Sequence, residues 1–387
     1  MLITRMILKN WRNFKKVDVA LRDRVYVIGP NASGKSNILD VLRFLRDIAK
    51  PEGGGLQKAV KDRGGITKLR CLLARKDPEV SIIIELSERV DTPPLWSYTL
   101  SFSSEGTGRQ RVIVKKEQVV DLTSGKTLLT RPDSEDKHDP ERLTQTYLEQ
   151  ISANKDFRDI PEFFANTTYL HLVPQLLKHS EQLGNYRLED DPFGQAFLER
   201  IAKTTEKTQI SRLHKINEVL KVCVPNMCNL RFLRDKDTGT PHLEALYEHW
   251  RPDAGWQRED QFSDGTLRLL GIMWTLLEGD SLLLLEEPEL SLNEEIVRQI
   301  HKLLWSMQRQ AKYRRQVFVT THSEALLQDK SIDAREIIRL EPTKDGTLAH
   351  ETSPEDLALI AAGYTAAEVL LPKTKPVHVH QLSLFKA

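Results

Sequence analysis

Eight residues near the start of the chain carry the clearest chemistry. Gly29-Pro30-Asn31-Ala32-Ser33-Gly34-Lys35-Ser36 sets a Gly-Lys-Ser tripeptide after a first glycine and four intervening residues. Glycines at those two positions let backbone N–H groups turn inward around an anion, and a following helix adds the partial positive charge of its first turn. Lys35 supplies a full charge to terminal phosphates, and the Ser36 hydroxyl is a hard oxygen ligand for magnesium. The expected ligand is a nucleotide with Mg2+, cradled from Gly29 to Ser36, with Asn37 next on the helix.

Magnesium held by one serine and phosphates needs acidic support, and hydrolysis needs a base. The apolar run from Ser281 to Leu285 ends in Glu286-Glu287-Pro288-Glu289. Carboxylates at the end of a central strand stand where an α/β sheet collects its ligand chemistry. Glu286 is expected to hold the magnesium, directly or through water, and Glu287 to polarise the attacking water. Phe262-Ser263-Asp264-Gly265-Thr266 opens an apolar helix, so the Ser263 hydroxyl and nearby N–H groups can either meet an anion or serve as an ordinary N-cap. His322, in Thr320-Thr321-His322-Ser323 past another apolar run, could reach a γ-phosphate as a neutral imidazole, or be a strand-end histidine with a structural partner.

These residues must be positioned by strands and helices that the periodicity reveals. Val25-Tyr26-Val27-Ile28 is apolar on both faces, as an interior strand requires, and runs into Gly29. Leu39, Leu42, Leu45 and Ile48 repeat at helical spacing after Ser36. Alternation predicts strands at Leu2–Leu8, Val17–Leu21, Leu69–Leu73, Val80–Leu86, Trp96–Phe102 and Arg111–Lys115. Helices are expected at Pro140–Ile151, Phe193–Ala202 and Ile210–Val222, with a lone strand at Thr167–Val173. Strands return from Asn229 to Glu248. After that strand and helix alternate through Ile337–Leu340, which implies a sheet with crossover helices.

The composition suits such a chain. Its 387 residues are 40% hydrophobic and 29% charged, with 56 Lys+Arg against 55 Asp+Glu. A net charge of +1 excludes a bulk polycation, so DNA contact would need local patches. Arg309, Lys312, Arg314 and Arg315 crowd one helix end, where the plainer reading is a solvated helix terminus. The three cysteines form no CxxC pair, which fits a reduced, cytoplasmic setting. The longest apolar stretch, near Leu269 to Leu277, is about half the ~20 residues of a membrane span, so no membrane partner is expected.

The order phosphate loop, distant Ser-Asp-Gly signature, acidic strand end and strand-Thr-His-Ser resembles the ABC-type ATPases of the SMC/RecF/OLD group. It is most similar to short prokaryotic AAA15 or AAA21 proteins, OLD-like but without a Toprim domain, several of which serve anti-phage defence. Leu8-Lys9-Asn10-Trp11-Arg12-Asn13-Phe14 and Arg63-Gly64-Gly65 resemble segments of that group. The likeness covers Met1–Leu86 and Gln261–Leu340. It implies an α/β fold: an ABC-type P-loop ATPase head, with a mixed sheet, flanking helices, an antiparallel β lobe and a helical insertion. The expected organisation is 1–125 and 226–371 for the head, 126–225 for the insertion, and 372–387 for a flexible tail.

The resemblance further implies a homodimer that sandwiches two nucleotides, with Ser263 and Gly265 on the partner's γ-phosphate and Ser291 in the interfacial loop. It assigns Arg12 to the nucleotide and, by position only, Gln57 to the magnesium. Glu286 departs from the group's usual aspartate by one methylene. No built-in nuclease is visible after His322, so a separately encoded nuclease or effector subunit is the expected partner. A RecF-like DNA repair ATPase and an ATP-dependent scaffold with little turnover are the alternatives. Gln381-Leu382-Ser383-Leu384-Phe385 resembles the peptide by which bacterial proteins dock on the polymerase sliding clamp; it equally suits a tail that packs on its own domain.

Overall fold

The computed structural model describes residues 1–74, 77–106, 111–179, 191, 193–251, 255–279, 281–310 and 315–375. The sequence Gln381, Leu382, Leu384 and Phe385, with Lys312 and Arg314 of the basic cluster, lies outside them. Two compact units divide the chain: residues 1–168, 281–284 and 315–387 in the first, residues 169–280 and 285–314 in the second. The chain therefore changes unit within the strand Thr168–Leu170 and within the strand Leu283–Glu286.

The first unit holds one six-stranded sheet and the greater part of another. One runs in the order Phe14–Ala20, Leu2–Trp11, Val80–Ser87, Trp96–Ser104, Val112–Asp121, Lys126–Arg131, with neighbouring strands antiparallel throughout. The other runs Gly346–Glu351, Ile337–Thr343, Arg24–Ile28, Val317–Thr321, Leu283–Glu286, Thr168–Leu170. Arg24–Ile28 lies parallel to both of its neighbours, and Gly346–Glu351 closes the sheet antiparallel to Ile337–Thr343. All five residues of Arg24–Ile28 are buried, as a strand covered on both faces must be. The helix Lys35–Ala49 buries Ile38, Leu39, Leu42, Leu45 and Ile48. Its Phe44 ring lies 5.1 Å from Trp11 and 5.4 Å from Phe102, in the tilted and offset packing that aromatic quadrupoles favour.

Two expected elements are absent, for different reasons. Leu69–Leu73 forms no strand: Gly64 and Gly65, both at positive φ, start a turn that ends in the short helix Ile66–Leu69. Only Arg70 makes an isolated bridge, to Trp11. Pro140–Ile151 is a 3-10 turn, Pro140–Thr144, followed by irregular chain, because buried side chains take the backbone groups a helix would use. The fully buried Glu117 carboxylate accepts from the Tyr147 and Leu148 amides, and Arg131 donates to the Arg142 and Gln145 carbonyls. Residues 126–131, expected to open a helical insertion, are an edge strand instead.

The second unit is built on the helix Asp264–Leu277, buried at eleven of its positions. An apolar sequence on all sides has no solvent face to keep, and Trp274 packs edge-on against Phe197 of the helix Phe197–Lys203. Glu206–Cys223 is a further helix, and Met227–Arg234, Pro241–Tyr247 and Trp256–Arg258 form an antiparallel three-stranded sheet. Among the described residues no helix is long and apolar enough to cross a membrane.

Candidate nucleotide-binding site

In the first unit the loop after Arg24–Ile28 takes a shape that its sequence explains. Ala32 and Gly34 both sit in the left-handed region, at φ 62° and 97°. Gly34 is the N-cap of Lys35–Ala49, so the loop feeds directly into a helix N-terminus. A Cβ on Gly29 would lie 2.6 Å from the Ser33 hydroxyl and 3.0 Å from Leu340, which reserves that position for glycine. Lys35 is buried, with its ammonium 3.2 Å from the Gly29 carbonyl and 3.4 Å from that of Pro30. The Ser33 hydroxyl is wholly buried without a hydrogen-bond partner, and Asn31 and Ser36 are exposed. A buried hydroxyl left unmatched in a loop that runs into a helix N-terminus suits an anionic ligand.

Sequence reasoning missed what holds this loop. The Asn13 amide donates to the Ser33 carbonyl at 2.8 Å and to the Thr347 hydroxyl at 2.7 Å, and it accepts from Asn37 at 2.8 Å. Trp11 donates its indole N–H to the Asn37 carbonyl. These contacts give physical content to the opening Leu8-Lys9-Asn10-Trp11-Arg12-Asn13-Phe14, whose Asn10 and Arg12 bend the chain at φ 57° and 48°. The motif was the available signal; its contact with the phosphate loop was not visible in it.

Arg12 points its guanidinium at Asp40, 2.6 Å away, and Asp40 also accepts from Arg63 at 3.0 Å. Burial pushes the Asp40 carboxyl up, but the Arg63 and Arg12 charges outweigh it and hold the group below the usual carboxylate range. Arg12 thus braces the helix that carries Lys35. Gln57 is not disposed as a metal ligand: its amide donates to the Val112 and Thr144 carbonyls and accepts from the Val112 amide. Those bonds staple the antiparallel sheet to the turn at 140–144.

His322 follows Val317–Thr321 and is exposed. The parallel register pairs Thr321 with Ile28, so His322 leaves its strand at the level where Gly29 leaves the neighbouring one.

The second unit carries the acidic strand end and the signature. Glu286 closes the strand Leu283–Glu286, and Glu287 turns away from it at φ 43°, a strained conformation for a residue with a side chain. Ser291 is a second such residue, at φ 62°. Gly265 approaches the Ser291 carbonyl so closely that a Cβ would lie 2.7 Å from it, which joins the signature helix to the loop after the acidic strand. The Ser263 hydroxyl accepts from the Thr266 amide at 3.1 Å, so in this state it caps its own helix. Asp264 is held by Lys178 at 2.8 Å and by Gln175. The Lys178 hydrogen bond keeps its carboxyl below the ordinary range. Arg268, one turn further, is buried with its Nε unmatched, and burial lowers its affinity for the proton.

Ser36 in the first unit and Glu286 in the second each end in a hard oxygen, the type magnesium selects. Among the described residues no group of three or more His, Cys, Asp or Glu could hold a metal unaided.

A family model described as "AAA domain, putative AbiEii toxin, Type IV TA system" matches residues 25–328. A stretch of 132 residues is 23% identical to the DNA replication and repair protein RecF of Bacillus mycoides (strain KBAB4), covering 34% of this chain and 35% of that one. A stretch of 99 residues is 28% identical to RecF of Roseiflexus castenholzii (strain DSM 13941 / HLO8), covering 24% and 25%. The matched part thus spans about a third or less of these curated relatives. The SMC head bound to the C-winged helix domain of ScpA superposes with a TM-score of 0.56 at 14% identity, over 92% of this chain and 99% of that one. An SMC head with an extended coiled coil, bound to the C-terminal domain of ScpA and derived from Pyrococcus furiosus, gives 0.51 at 13%, over 93% and 98%. At such identities the likeness is one of fold, that of a P-loop ATPase head.

Proposed function

Because this chain belongs to the family described as "AAA domain, putative AbiEii toxin, Type IV TA system" and is an SMC/RecF-like ABC-type ATPase, we propose that it is a magnesium-dependent ATP hydrolase that works as a switch when two copies engage. The observation that carries this reading is the phosphate loop, with Lys35 buried at its centre, an unmatched Ser33 hydroxyl and a helix starting at Gly34.

ATP binds with its phosphates against the amides of Gly29 to Ser36. Lys35 neutralises the β- and γ-phosphates. Ser36 and Glu286 would hold magnesium, which would supply charge neutralisation at the phosphate oxygens. Glu287 orients the attacking water and takes its proton, and His322 reads the presence of the γ-phosphate. Ser263 and Gly265 meet the γ-phosphate on a second copy, at which point the Ser263 hydroxyl exchanges its cap bond for a phosphate oxygen. In the cell the switch acts in anti-phage defence, and its output passes to a separately encoded nuclease or effector. SMC heads that hold a domain of ScpA support a head of this fold presenting a protein-binding face.

Glu287→Gln decides the matter, because it keeps the shape of the side chain and the strain at φ 43° while removing the base. Light scattering with ATP and magnesium should show a stable dimer of this variant with hydrolysis reduced at least about a hundredfold, in line with the loss of a positioned base. A variant that hydrolyses normally, or stays monomeric with ATP, overturns the reading.

The similarity to RecF supports a second reading, a DNA repair ATPase. It predicts ATP-dependent DNA binding by the purified protein with an affinity that falls steeply with salt.

A further inference from the structure

Tyr169 has no place in the chemistry above, yet it touches the residue on which the metal depends. Its ring is buried, with 7% of the residue exposed, and its hydroxyl donates to Oε2 of Glu286 at 2.5 Å. Two residues on, the His171 imidazole lies 3.3 Å from the Glu286 main-chain carbonyl oxygen. Residues 169–171 therefore grip both the side chain and the backbone of Glu286.

That grip answers a problem posed by the sequence. A glutamate has one more rotatable bond than an aspartate, and a freely turning carboxylate at a strand end would spend little time in any one orientation. A phenol donating to a carboxylate oxygen at this length is among the stronger hydrogen bonds, and it selects one rotamer. Burial of the ring fixes the donor in turn, since Tyr169 continues the strand Thr168–Leu170. Partners of this kind, one bond removed from the metal, commonly set metal affinity.

We propose that Tyr169 is a positioning residue for magnesium: its hydroxyl holds the Glu286 carboxylate in the orientation that supports the cation of bound MgATP. The proposal rests on the metal role given to Glu286 above, and its test separates the two.

Equilibrium binding of a fluorescent ATP analogue is measured across a magnesium titration for the full chain, Tyr169→Phe, Glu286→Gln and the double variant. Tyr169→Phe should raise the half-saturating magnesium concentration about tenfold, the lower end for loss of such a partner. Binding without magnesium and the thermal midpoint should stay near those of the unaltered chain. In the Glu286→Gln background Tyr169→Phe should add no further shift, which a merely structural tyrosine would not reproduce. If Glu286→Gln shifts the titration and Tyr169→Phe does not, or if Tyr169→Phe has the same effect in both backgrounds, the proposal for Tyr169 falls while Glu286 keeps its role. If neither the unaltered chain nor Glu286→Gln responds to magnesium, both readings fall together.

Discussion

A Cβ placed on Gly34 would lie 2.3 Å from the side-chain nitrogen of Asn13, a residue on the first β-hairpin of the chain. The phosphate loop is thus shaped from outside as well as by its own glycines.

Removing either side of this contact should loosen the loop. Asn13→Ala deletes three hydrogen bonds to Ser33, Thr347 and Asn37. Each net bond contributes about 0.5–1.5 kcal/mol, so urea unfolding should show a loss of a few kcal/mol. Fluorescent-nucleotide titration should show ATP affinity weakened about tenfold. Gly34→Ala, which meets both the Asn13 clash and a φ of 97°, should abolish binding altogether.

Asp40 links acid stability to the brace around the nucleotide helix. Its folded carboxyl is held below the unfolded value, so its contribution is present above about pH 4 and is lost as the pH falls through the lower folded value. Asp40→Asn should therefore cost about 1.5–3 kcal/mol at neutral pH, because Arg12 and Arg63 lose the carboxylate they share while Arg63 keeps its pairing with Asp47. The same variant should show a flatter loss of stability below pH 4. Chemical denaturation at a series of pH values measures both.

Arg268 should prove a liability to the fold. Its Nε is buried without a hydrogen bond, and its neighbours in a small cavity are Leu170, Leu172, Ile272, Leu285, Glu286 and Pro288. Arg268→Met keeps the stem and removes the charge. An increase in stability of about 1–3 kcal/mol is expected, read as a higher thermal midpoint. A lower midpoint would mean that the guanidinium finds a partner in solution.

Glu117 orders the segment that the sequence had suggested was helical. Glu117→Gln leaves the buried Arg131 short of a counter-charge and weakens the hold on the Tyr147 and Leu148 amides. Hydrogen exchange at those two amides should quicken sharply, with a global cost of about 3–5 kcal/mol. Unchanged protection would show that Asp136 alone suffices for Arg131.

The parts of the molecule that repeat a local pattern were readable in advance. Arg24–Ile28 declares itself by being apolar on both faces, and Lys35–Ala49 by its helical spacing. The phosphate loop follows from them, since its glycines and Lys35 lie between a strand and a helix. What stayed hidden are contacts without a period. Glu117 captures backbone amides thirty residues away, Asn13 reaches Thr347, and Tyr169 reaches Glu286. The opening motif contains Asn13, but no spacing rule says which atom a lone asparagine will meet. Gln57 shows the converse: position suggested a cation, whereas the amide is committed to Val112 and Thr144.

The bond from Asn13 to Thr347 has a bearing on biosynthesis. Asn13 is also tied through its main chain, its carbonyl accepting from the Thr347 amide, and the strand leading into the loop is flanked by Val317–Thr321 and Ile337–Thr343. A nascent polypeptide arrested short of these late segments would already contain every glycine of the loop and its lysine, yet lack the framework that sets them. Competence to capture ATP should therefore arise only near the end of translation.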